Sequence, residues 1–166
     1  MHTYRTALAL AGVPVPEHLV ADAEVPILTG PQAQGDLIVL PVATIPAGLT
    51  VPRLIGDDGV QVIRGEATGN THWLHRGFNS PDVRWTPAAA DGLTLGYLIV
   101  PVGQSAQLIH TDEHGANGVG PGTYQINRKR EMTPSFLSQR ELDAKAQAEA
   151  KWQAEQQAER ERMVED

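Results

Sequence analysis

Between Gly35 and Met132 the chain breaks into short apolar runs separated by turn residues, the pattern of a β domain. Leu37-Ile38-Val39-Leu40-Pro41-Val42 is almost continuously apolar, as for a strand buried on both faces or one that ends at Pro41. Gly56-Asp57-Asp58-Gly59 supplies a turn before Val60-Gln61-Val62-Ile63-Arg64, where Val60 and Val62 alternate with Gln61 and Arg64 and Ile63 breaks the alternation. Further runs cover Val83 to Thr86, Leu93 to Val102, Ala106 to His110 and Thr123 to Arg130. In the last of these Tyr124 and Ile126 share one face and Gln125, Asn127 and Lys129 the other. The Gly-rich stretch from Gly115 to Gly122 reads as a flexible loop leading into that strand. Trp73, Phe78 and Trp85 are expected to form one hydrophobic cluster. Six to seven strands at this spacing predict a mainly β fold, a small β-sandwich or barrel.

The two ends follow different patterns. Residues 1–34 hold four prolines, at 14, 16, 26 and 31, and few strong apolar side chains, so they read as an extended N-terminal arm with room for one short helix. The apolar run Ala7 to Val15 is interrupted by Gly12 and Pro14 and followed by Glu17 and His18, which argues against a secretory leader. Residues 133–166 predict a charged α-helix that starts at Thr133-Pro134 or at Ser138, where Glu141 completes a capping box. Ala, Gln, Glu, Lys and Arg dominate it, and its large apolar residues are too sparse for a continuous stripe or a heptad. The helix is therefore expected to project into solvent or to lie against a partner, with residues 35–132 forming the β domain between the two ends.

Composition narrows the function. The 166 residues include no cysteine, which removes disulfides, thiolate nucleophiles and zinc-thiolate sites. A net charge of −7 disfavours attraction to nucleic acid or an anionic membrane, and no apolar run approaches the roughly 20 residues of a membrane-spanning helix. The acidity is concentrated at the C-terminus, where residues 135–166 carry 8 acidic and 5 basic side chains. No serine sits in a nucleophile elbow, and the Gly-rich stretch neither follows the right strand nor opens a helix as a phosphate loop must.

Histidine carries the most suggestive chemistry. His72 and His75 lie together, and His110 and His114 bracket Thr111-Asp112-Glu113. Imidazoles from two strands joined by a carboxylate are the usual donors for a mononuclear transition metal on a β scaffold, so His72, His110, Glu113 and His114 form the candidate ligand set. His72 and His75, three apart, face opposite ways on a regular strand and converge only through a bulge. Glu66 is a candidate catalytic carboxylate or hydrogen-bond partner to a ligand, or else a turn carboxylate that accepts from backbone N–H groups. The plainer reading has these residues hydrogen-bonding backbone or water in loops at one end of the domain, with no cofactor.

Gln34-Gly35-Asp36, Ile45-Pro46-Ala47, Gly65-Glu66-Ala67-Thr68-Gly69, His72, Asp112-Glu113-His114, Pro121-Gly122-Thr123-Tyr124 and Arg130-Glu131 are similar in order and spacing to one family pattern. Through them residues 34–134 resemble a group of small, uncharacterised bacterial and phage-encoded proteins with Gly-Glu-Val-Thr-Gly-His-Ala-His and His-Glu-Glu-His motifs. The first histidine of each family pair is replaced here, by Asn70 and by Thr111, so only His72 and His114 carry over directly. The resemblance implies a fold unit and a bacterial or phage origin and supplies no reaction.

Two functions are expected from these features. The first is a non-enzymatic binding or structural module that docks onto a larger assembly, such as a phage particle or host complex, or onto copies of itself, through the N-terminal arm and C-terminal helix. Its place would be the cytoplasm, or the virion if phage-encoded. The alternative is a metal-binding β-barrel or metal-dependent enzyme holding one divalent transition metal.

Overall fold

The computed structural model describes residues 1–64, 71–89, 92–111, 115–129 and 139–165. They divide into two compact units, Met1–Lys129 and Arg130–Asp166. In the first, α1 (Tyr4–Leu10) precedes β1 (Ile27–Leu28), β2 (Gln32–Gln34), β3 (Leu37–Pro41), β4 (Arg53–Leu54) and β5 (Val60–Arg64). Then come β6 (Thr71–Arg76), β7 (Arg84–Pro87), β8 (Thr94–Val100), β9 (Ala106–His110), β10 (Ala116–Val119) and β11 (Gly122–Arg128).

These strands make two sheets, one of five in the order β1-β10-β9-β6-β5 and one of six in the order β2-β3-β11-β8-β7-β4. Leu74, Ala106, Leu108 and Val119 of the first meet Leu37, Val39, Trp85, Leu98, Val100, Tyr124 and Ile126 of the second in one core. The fold is thus the sandwich of the two expected architectures. It is not a closed barrel, because each sheet keeps two edge strands of its own.

Eleven strands among the described residues exceed the six or seven expected. The six apolar runs correspond to β3, β5, β7, β8, β9 and β11, and the additional strands are β1, β2 and β4, each of two or three residues, with β6 and β10. The Gly-rich stretch read as a flexible loop contains that last strand. A side chain at Gly118 would meet the Pro26 carbonyl at 2.5 Å, so glycine there lets β1 lie alongside β10. The break at Ile63 also has a structural cause. The β5 register against β6 jumps from Gln61↔Trp73 to Ile63↔His72, a bulge that brings Val62 and Ile63 both against the core. The three aromatic residues do not form one cluster: Trp85 is in the sandwich core, Trp73 packs on the opposite face of its sheet, and Phe78 is exposed.

That opposite face is covered by the N-terminal residues. Thr3 caps α1, accepting from Thr6 N while Thr6 Oγ1 accepts from Thr3 N at 2.9 Å. The next amides, Tyr4 N and Arg5 N, donate to the Ala23 and Ala21 carbonyls. Ala7, Leu8 and Val25 are buried with Ile109 and Ala116 in a second cluster, with Tyr4, Val13, Val15 and Trp73 at its margin. The expected short helix is present, and the segment around it belongs to the sandwich instead of extending away from it.

The second unit holds α2, Gln139–Glu165. Both helix starts expected from the sequence, Thr133 and Ser138, lie outside the described residues. Trp152 is 61% exposed and Met163 79%, in keeping with a helix that has no continuous apolar stripe.

Candidate functional site

Adjacent antiparallel strands β6 and β9 are in register so that His72 stands opposite His110. Strand periodicity puts His72 on the Leu74 side and His110 on the Leu108 side, and both leucines belong to the sandwich core, so the two imidazoles enter the inter-sheet space. Both residues are buried, their ring centroids are 4.4 Å apart and their planes are inclined by 46°. The next cross-strand pair ends the ladder, with Thr111 N donating to the Thr71 carbonyl at 3.0 Å and Thr71 N to Thr111 Oγ1 at 2.9 Å. His110 N donates to the Gly115 carbonyl at 2.9 Å across the β9–β10 connection.

Gln34 reaches the same end of the sandwich from the other sheet. Its Nε2 donates to the Leu108 carbonyl at 2.9 Å and lies 3.3 Å from the Gly115 carbonyl and 3.0 Å from Asn117 Oδ1. The Gln34 Oε1 is buried and makes no hydrogen bond. In the sequence Gln34 stands out only as the start of the Gln-Gly-Asp motif, whereas the polar-apolar-polar order of Gln32-Ala33-Gln34 beside an apolar run is the signal for its inward-facing role.

The expected ligand set is therefore brought together in part. His72 and His110 are neighbours, whereas Glu113 and His114, with Glu66, lie outside the described residues. Among the described residues no three His, Asp or Glu side chains are grouped closely enough to hold a metal ion. Two imidazoles and an amide oxygen suit a borderline divalent ion in kind, and a carboxylate or third imidazole from the flanking segments would have to complete its coordination.

His75 lies on the opposite face of β6, as a regular strand requires, and is not part of this pair. It is 2% exposed and its cross-strand partner is Gln107. Burial holds the His75 imidazole below its ordinary pKa, with Asp58 opposing that shift and His2 adding to it. A cavity of about 600 Å³ adjoins it, lined among others by His2, Leu10, Asp57 and Phe78. Arg76 pairs with Asp57 at this cavity, and His2 stands edge-on to Phe78 with ring centroids 6.1 Å apart.

No curated protein and no solved structure matches the chain. A family model described as a domain of unknown function, DUF8820, matches residues 33–129, which run from within β2 to just past β11 and leave out α1, β1 and α2. That match spans more than half of the chain, which therefore belongs to this family.

Proposed function

We propose that the chain is a non-enzymatic binding module, a β-sandwich that docks onto a larger protein assembly of the phage-particle or host-complex kind implied by its sequence resemblance. The observation that carries this reading is α2. It is a 27-residue helix in a unit separate from the sandwich, built from strong helix formers and presenting an exposed Trp152. An exposed tryptophan on such a helix is a ready anchor for a partner surface, since aromatic residues dominate binding energy at interfaces. In the N-terminal segment Ala7, Leu8 and Val25 are already buried within the chain's own fold. The contacts available to a partner there are instead the exposed Val20, Ile27 and Leu28.

Truncation after Lys129 tests the reading. The shortened chain should unfold cooperatively at nearly the temperature of the full chain, and should lose the self-association or partner co-elution that the full chain shows in size-exclusion chromatography with light scattering. Assembly by the truncated chain as by the full one would overturn the proposal.

The His72–His110 pair favours a second reading, in which the inter-sheet end of the sandwich holds one divalent transition metal. A ligand present at about 100 times its Kd stabilises the native state by about 2.7 kcal/mol. Zinc, nickel or manganese should then raise the melting temperature of the native protein and leave a His110→Ala variant unmoved. Native protein without stoichiometric metal and without such a shift excludes this reading.

A further inference from the structure

On the outer face of the five-stranded sheet, two directly opposed residues each bury a polar atom that makes no hydrogen bond. They are His75, through Nε2, and Gln107, through Oε1. Their exposures are 2% and 1%, so neither residue is rescued by bulk solvent. Buried polar atoms without partners are rare in native proteins, because each forgoes hydrogen bonds to water and receives none in return. Of the two, His75 also lines a cavity of about 600 Å³, so its unpartnered nitrogen marks a place where a bound molecule supplies the missing partner.

The walls specify the chemistry of that molecule. His75 Nε2 accepts or donates according to tautomer, so the ligand needs a hydrogen-bonding edge that can meet it. Phe78, 58% exposed, offers a flat aromatic face, and the His2 ring and Leu10 continue the apolar wall. Asp57 and Arg76 neutralise each other, which leaves little preference for a charged ligand. A Cβ at Gly59 would stand 2.6 to 2.8 Å from three atoms of the His75 ring, so glycine there leaves the ring room to lie against the backbone.

We propose that this pocket binds a neutral, planar heteroaromatic ring of the nucleobase kind, stacked on Phe78 with its hydrogen-bonding edge toward His75. The site lies apart from the His72–His110 pair, which faces the other side of the same sheet, and it does not depend on the docking role of α2.

Adenine is the probe, read on the isotope-labelled full chain through the imidazole nitrogens of His75 and the ring signals of Phe78. Low-millimolar adenine should shift both sets saturably, while toluene, a ring without donors, and acetamide, a donor without a ring, should not. Phe78→Ala should weaken binding about tenfold, the loss of one base–aromatic stacking contact. Because Phe78 is at the surface, this variant keeps the fold, whereas His75→Phe tests the polar edge in a more buried position. If adenine leaves His75 and Phe78 unmoved, or toluene shifts them as strongly, the proposal is overturned. Binding that survives Phe78→Ala undiminished overturns it as well.

Discussion

A single imidazole illustrates how residue-scale chemistry reaches the stability of the whole domain. His75 is covered by Gly59 on one side and adjoins His2, which burial and the N-terminal charge also hold below its ordinary pKa. The folded protein therefore prefers His75 neutral, and the unfolded chain takes up its proton at the ordinary value of 6.5. Stability linked to this group is fully present above that value and declines as pH falls below it toward the lower folded-state pKa. Urea unfolding at about pH 7.5 and about pH 5 should show a loss on acidification that is reduced in His75→Gln. An identical loss in that variant would place the acid sensitivity elsewhere. Asp58, whose charge favours the protonated ring, limits the effect without reversing its sign.

At the level of elements, legibility followed length and locality. Val60–Arg64 and Ala106–His110 were found with the same bounds from their apolar patterns, and Leu37–Pro41 to within one residue, because five residues are enough to show a face. β1, β2, β4, β6 and β10 lie outside the apolar runs, since strands of two or three residues show almost no period, β6 mixes apolar residues with two buried histidines, and β10 is Gly-containing and depends on the approach of β1. The candidate site was legible by residue type but not by arrangement. Period two alone separated His75 from His72, whereas the pairing of His72 with His110 rests on a strand order that no local pattern encodes. The N-terminal segment shows the same limit. Prolines and a short apolar run describe an arm, and only the tertiary fold shows that Leu8 is completely buried against it. Leu8→Ala should accordingly cost about 2–5 kcal/mol in chemical denaturation, the range for a core leucine. A cost near zero would return residues 1–26 to the role of a loose appendage.

For the sandwich as a whole, the two flanks are built differently. On one, β2 lies at the edge of the six-stranded sheet and its side chains cross to the other sheet. Gln32 Nε2 donates to the Gly118 carbonyl at 3.0 Å, Gln34 Nε2 to Leu108 at 2.9 Å, and Asn117 Nδ2 returns to the Ala33 carbonyl at 3.2 Å. The two glutamine bonds are buried, where leaving a partner unsatisfied costs most, and with the more exposed asparagine bond they tie the sheets together along that edge. The other flank runs between edge strands β4 and β5 and holds a groove of about 660 Å³, lined by Val51, Leu54, Val60, Trp85 and Pro87 among others. Val51 is 81% exposed, and β4 is attached to its sheet by only two residue pairs. Few apolar contacts and a short ladder lower the free energy of local opening. Native-state hydrogen exchange should therefore find the amides of β4 and the outer edge of β5 opening well below the global unfolding free energy, while β3, β9 and β11 exchange only through global unfolding. Gln34→Leu should narrow that difference, because it strips the stitched flank of one of its donors and leaves the Leu108 and Gly115 carbonyls without that bond, at about 1–3 kcal/mol. Equal protection along both flanks in the unaltered protein would show that the glutamine bonds do not distinguish them, and that the shared core alone sets the order of opening.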